Sequence, residues 1–384
     1  MTTSVSKDPA SKDATDQNPG VPEAPASKAP ATPTFYQLLQ FDARGLWAKI
    51  RATDIPREKR RYFLAMAVRS LLLVAFAILF IGVLTAVFGN ENSGVVVAGF
   101  CILLGIKFVS YGYRVDDSLF ALAVVFACML VGGLVTLAGS PALSFIANFL
   151  LVAVILVLVA NDPPMGNAGI YVFGYLFVSQ TPVTGTALGA RALLMLLLWV
   201  MCGAVLIHKH HAKFRDIRLA HLLRAFSLAS EKSRWQLRLA LGVAGALLVG
   251  ELLGIPRGVW VGYACMSVLL PYGDTDETPA KRAATRLGGV VVGSLAFNGF
   301  AALVPAGLLP LLGPLAGICM GFSSKYFWNN ALNCFGALLL ASGVYGLEGS
   351  VVLRIYDNLV GVVFAVVFTA LLTYLEGRAE KARE

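Results

Sequence analysis

From Val68 to Leu375 this sequence is a succession of apolar runs with only short polar breaks. A helix needs about 20 consecutive apolar residues to cross the hydrocarbon core of a bilayer. Inside that core only elements that satisfy their own backbone hydrogen bonds survive. A water-soluble domain that repeated such a run would have no polar surface left. The pattern therefore dictates an all-α, polytopic transmembrane helical bundle. Charged residues are 14% of the chain, against about 25% in soluble globular domains, which leaves enough for loops and ends but not for a large soluble domain.

The apolar runs divide into about 12 expected spans. The first six lie near 64–88, 94–113, 118–138, 142–160, 165–180 and 188–207. The second six lie near 236–254, 257–271, 286–304, 308–323, 328–346 and 352–375. Those at 165–180, 257–271 and 308–323 are short and carry Gly or Pro, which suits broken or re-entrant helices. Lys and Arg collect in alternate breaks: Arg57 to Arg61, Arg114, the stretch from Lys209 to Arg234, Lys281 and Arg282, and Arg378 to Arg383. Arg257 is the exception on the other side. Positive charge stays on the cytoplasmic side, so both termini are expected there.

The non-spanning pieces have their own signatures. Residues 1–34 are rich in Ser, Ala, Pro and Thr, with no apolar core of a signal peptide, and read as a disordered tail. Residues 35–61 alternate Phe35, Leu38, Leu46, Trp47 and Ile50 with basic side chains, the pattern of an amphipathic segment on the membrane surface. Residues 208–235 form a short basic linker between the membrane units 62–207 and 236–375, and 376–384 form a cytoplasmic tail.

The net charge of +9 follows the breaks between spans and does not form a face, so nucleic acid is not an expected partner. The six cysteines all sit in apolar runs without CxxC spacing. His208, His210, His211 and His221 have no cysteine or carboxylate cluster beside them, so no metal is expected. Walker A, GxSxG and HExxH signatures are absent, which argues against an enzyme and against a bound cofactor.

The two units resemble each other. Gly94, Val95, Val97 and Cys101 recur 164 residues on as Gly258, Val259, Val261 and Cys265. Phe173-Gly174 recurs after 162 residues as Phe335-Gly336, and Arg191 after 163 as Arg354. Six spans per unit is an even number, so both units would point the same way: two parallel six-helix repeats about an axis normal to the membrane. The junction between the halves is then the expected pathway.

A second resemblance rests on PYGDTDETPAKRAATRLGGVVVG at 271–293, where a span ends in Pro271-x-Gly273 and the next opens with Arg286, Gly288, Gly289 and Gly293. The flanking GVWVGYACMSVLLP at 258–271 and RIYDNLVGVVFAVV at 354–367 agree with it. Together they resemble the integral-membrane bound transporter domain of the fusaric acid resistance and aromatic acid exporter proteins. The resemblance implies export of small organic anions, aromatic acids among them, across a bacterial inner membrane, driven by proton coupling. A periplasmic adaptor protein is the implied partner beside the lipid bilayer. Plant aluminium-activated malate transporters, more distant relatives, offer the alternative of a passive anion channel. A non-transporting scaffold or partner subunit is a third reading. The first half departs from the pattern: its third span opens with Asp116-Asp117-Ser118.

Ionisable groups inside lipid need a reason to be there. Arg191 is the leading anion-binding candidate, because Leu194 stands where Asp357 could pair with Arg354 one turn away. Lys107 and Arg354 are further candidates for an anion. Glu251 and Asp357 are the candidates for proton coupling, with pairing to Arg257 or Arg354 as the structural alternative. Asn330 and Asn333 could line a cavity, and Trp260 and Tyr263 could stack on an aromatic substrate.

Overall fold

The computed structural model describes residues 33–273 and 278–381. Among them every regular element is helical. In chain order the α-helices are α1 (Phe35–Leu38), α2 (Ala43–Ala52), α3 (Pro56–Phe88), α4 (Ser93–Ile106) and α5 (Val115–Thr136). Then come α6 (Pro141–Val159), α7 (Asn167–Ser179), α8 (Gly185–His210), α9 (Leu219–Arg224) and α10 (Glu231–Leu252). The last are α11 (Val259–Leu269), α12 (Pro279–Leu303), α13 (Leu312–Met320), α14 (Tyr326–Tyr345) and α15 (Leu347–Lys381). All but the last two residues of the expected tail at 1–34 lie outside the described residues.

Local sequence sets the boundaries. Asp42, Ser140 and Thr278 accept the backbone N–H of Gly45, Leu143 and Lys281 and so cap α2, α6 and α12. Pro56, Pro141 and Pro279 occupy first helical positions, where the missing N–H costs nothing. Two expected boundaries move. Arg57 to Arg61 belong to the opening turns of α3, because Pro56 starts that helix ahead of the basic run. The helix expected to end at 375 continues as α15 to Lys381, with Arg378 and Lys381 in its last turn, where cations suit the dipole.

Each of the twelve apolar segments is helical, but among the described residues seven helices are long and apolar enough to cross a membrane: α3, α5, α6, α8, α10, α12 and α15. The stretches 165–180, 257–271 and 308–323 are the short α7, α11 and α13, and the segment 94–113 is shortened too, to α4. At 1.5 Å per residue the 11 residues of α11 reach only about half of a hydrocarbon core of about 30 Å. Helix α3 is peripheral: only 6% of its apolar stretch is buried, so most of its apolar side chains are exposed.

Packing follows the two units. In the first, α4 and α5 pack against α7 and α8; in the second, α11 and α12 pack against α15, and α12 against α14. The units meet where α6 lies along α10, α7 touches α11, and α13 leans on α3.

Small residues let the helices of the second unit touch backbone to backbone. A Cβ on Gly293 would fall on the Ala331 carbonyl oxygen of α14, and one on Gly289 would lie 2.6 Å from the Phe327 carbonyl oxygen. On α15, a Cβ at Gly361 would collide with the Val261 carbonyl of α11. Without a hydrophobic drive between helices in lipid, such close approach is what holds them. This is the structural content of the Arg286, Gly289, Gly293 pattern.

Candidate functional site

Four helices of the second unit enclose a column of polar side chains. At one end, Arg257 sits in the α10–α11 loop, just after Gly254, whose positive φ of +63° turns the chain. Its guanidinium carbon lies 4.8 Å from the centre of the Trp260 ring on α11. Arg354 of α15 lies 4.7 Å from the same ring. Both distances are within the range of cation–π attraction. Asp357, one turn further along α15, is fully buried within electrostatic reach of both arginines.

The important property of this cluster is what it lacks. Neither carboxylate oxygen of Asp357 has a hydrogen-bond partner among the described residues, and neither does Arg354 Nε. The ion pair expected from their spacing is not formed: Arg114 with Asp116 is the single ion pair among the described residues. Being three residues apart places Arg354 and Asp357 on one face, but Arg354 is turned onto Trp260.

Below this cluster the column is satisfied. Arg286 of α12 is buried and donates to Asn358 Oδ1 at 3.2 Å and to Asn330 Oδ1 at 3.1 Å. Asn358 and Asn330 in turn donate to the carbonyls of Arg354 and Tyr326. The Tyr326 hydroxyl donates to Ser267 Oγ at 3.0 Å, and Arg282 Nε donates to the Ser267 carbonyl at 2.7 Å. A charged guanidinium held by amide oxygens is a stable buried arrangement.

The other expected residues scatter. Arg191 is buried, but its guanidinium is spent on neutral acceptors: Asn92 Oδ1 at 2.9 Å, the Thr181 carbonyl at 2.7 Å and the Glu91 carbonyl at 2.9 Å. It ties the end of α3 and the end of α7 to α8. Lys107 is exposed at the end of α4, with its ammonium 5.3 Å from the Phe108 ring. Asn333 is exposed on α14. Tyr263 belongs to the junction of the halves, where its ring stacks on Phe173 at 5.1 Å. Pro271 offers its carbonyl to Trp235 Nε1, and Gly273 turns the chain with φ +73°.

Glu251 is exposed at the end of α10, in a pocket that Ser144, Asn148 and Gln180 of the first unit help to line. It is not ion-paired with Arg257. Elsewhere the junction is closed by the Phe173–Tyr263 stack and by Gln236, which donates to the carbonyls of Leu156 and Ala160. The Arg257–Arg354–Asp357 cluster therefore lies inside the second unit and not in a slot between the two, whereas Glu251 lines the junction. The residues missing from the sequence-based set are Asn358, Ser267 and Arg282; Arg257 entered it only as a pairing partner. Asn358 was the most accessible of them, as a polar residue four places from Arg354 in an apolar run.

No curated protein sequence and no solved structure matches the chain. A family model does: residues 243–368 match the model described as fusaric acid resistance protein-like. Over that stretch, which carries the Arg257–Trp260–Arg354–Asp357 cluster and the glycine-lined α12–α14 crossing, the chain is similar to the fusaric acid resistance protein-like family.

Proposed function

We propose that the protein is a transporter of a bacterial inner membrane that exports small organic anions by proton-coupled secondary efflux. One observation carries the reading: Arg354 and Asp357 are buried together without a hydrogen bond or ion pair to spend them on. Unsatisfied buried charges are costly, and a site that holds them ready is suited to a charged ligand. Arg257 and Arg354 would hold the carboxylate of the substrate beside the Trp260 ring, whose face suits an aromatic or apolar body.

Charge counting gives the coupling its sign. With Asp357 ionised, the two arginines leave the cluster at a formal +1; with it protonated, at +2. A proton on Asp357 therefore favours the anion, and by linkage the anion favours the proton. The two would cross together as a neutral pair, the cheapest form in which to move a carboxylate through a low-dielectric barrier, so export runs down the substrate's own outward gradient and an inward proton gradient opposes it. The orphaned carboxyl group favours this over a passive channel, which needs only cationic lining. Arg191, spent on carbonyls in the matching position, supports a single binding cluster per chain. The distribution of Lys and Arg supports both termini on the cytoplasmic side.

The test is uptake of radiolabelled organic acids into inside-out vesicles. An alkaline lumen should speed uptake and collapse of the gradient should slow it, relative to vesicles without the protein. Asp357→Asn should abolish that dependence. Gradient-insensitive flux in the parent protein, or full sensitivity in Asp357→Asn, would refute the coupling.

A further inference from the structure

A second site lies outside the polar column, where α2 meets the first turns of α3. Helix α2 is amphipathic and is fixed in place: Leu46 is fully buried, and Trp47 Nε1 donates to the Phe322 carbonyl at 2.8 Å. Between the helices runs a groove of 570 Å³ lined by Trp47, Ile50, Phe63, Leu64 and Ala67, with Lys59 and Arg60 at one end. Arg60, Phe63, Leu64 and Ala67 follow the i, i+3, i+4, i+7 spacing of a single helix face. Trp47 and Ile50, three apart, form the opposite wall.

The order of chemistry along the groove is that of an amphiphile. Cations stand at the start of α3, where the chain enters the membrane, and apolar side chains follow towards its interior. Lys59 and Arg60 are exposed, and their side chains make no hydrogen bond or ion pair among the described residues. Glu58, the acidic residue in the first turn of α3, already accepts a hydrogen bond from Thr53 Oγ1 at 2.7 Å. Phe63 and Leu64 are 51% and 55% exposed, so the groove wall is open to a ligand.

We infer that this groove binds one anionic phospholipid, its phosphate at Lys59 and Arg60 and an acyl chain along Phe63, Leu64 and Ala67. Charge complementarity selects the anionic headgroup, and the apolar floor selects a lipid over a free phosphate. The lipid would staple α2 to α3.

Native mass spectrometry of the full chain in detergent tests this, with phosphatidylglycerol and phosphatidylcholine of the same acyl chains added in equal amounts. The parent protein should retain phosphatidylglycerol preferentially. Lys59→Gln with Arg60→Gln should weaken that retention by about fivefold per cation removed. A control of equal charge, Lys213→Gln with Arg215→Gln in the exposed linker, should leave it unchanged. Ala67→Phe, which fills the groove and keeps both cations, should also release the lipid; thermal unfolding and gel filtration confirm that each variant is folded. Equal retention of the two lipids, an equal loss in the linker control, or retention by folded Ala67→Phe would each overturn the assignment.

Discussion

The two buried arginines at matching positions should behave in opposite ways when replaced. Arg191→Met keeps most of the side-chain volume but strands three acceptors: Asn92 Oδ1 and the carbonyls of Glu91 and Thr181. Each buried acceptor left without a donor costs about 1–3 kcal/mol. Glu91 and Thr181 are exposed residues whose carbonyls can recruit water, so the loss should fall at the lower end, about 3–4 kcal/mol in total. Arg354→Met gives up the contact with Trp260, worth about 0.5–2 kcal/mol, and one of the two cations facing Asp357, which Arg257 still faces, and it removes a desolvated charge with no hydrogen bond. Its net effect on stability should be within about 1 kcal/mol of zero. At about 2 °C per kcal/mol for a large chain, Arg191→Met should unfold roughly 6–8 °C lower in detergent, and Arg354→Met close to the parent. In proteoliposomes the order should reverse: Arg354→Met loses anion flux, whereas any Arg191→Met that remains folded keeps its affinity. Equal melting temperatures, or an Arg354 variant less stable than the Arg191 variant, would refute the division between clamp and binding group.

The remaining predictions concern the same two units. Glu251→Gln should keep the pH-gradient dependence of flux that Asp357→Asn loses, because Glu251 is exposed at the junction; vesicle uptake compares the two. Gly293→Ala should destabilise by about 1–3 kcal/mol, since its Cβ meets the Ala331 backbone, whereas Gly299→Ala, with nothing within 4 Å, should be neutral or slightly stabilising; thermal unfolding separates them. Trp260→Leu should raise the half-saturating substrate concentration by roughly 2- to 30-fold, the equivalent of about 0.5–2 kcal/mol of lost cation–π contact. A cysteine placed at Lys213 should react with a membrane-impermeant thiol reagent in inside-out vesicles and not in intact cells; the converse pattern would invert the orientation.

Hydropathy made the membrane class and the twelve apolar segments legible, because helices in lipid leave that trace directly. It misjudged their lengths. After α4 the apolar and aromatic composition runs on through 108–113, and ahead of α13 through the 3-10 turns Ala306–Leu311; hydropathy does not separate either from an α-helix. The matching arginines were visible through their constant offset. Which of them was already occupied was not, because two of the three well-placed partners of Arg191 are backbone carbonyls, which every residue type carries. Glu251 and Asp357 look alike as single carboxylates near span ends; burial tells them apart, and burial depends on which helices lie alongside. Asn330 was legible as a polar residue in an apolar run, but its role as a holder of Arg286 required the crossing of α12 and α14.

That crossing has a mechanical consequence. Main chains in direct touch at Gly289, Gly293 and Gly361 have no side-chain cushion over which to slide, so α12 with α14 and α11 with α15 each form a stiff pair, and a pair must travel as one body. Any opening that admits solvent to Asp357 from alternate sides has to be taken up elsewhere. The aromatic faces of Phe173 and Tyr263, which can shear past one another, are the bearing surface on which such a body would rock.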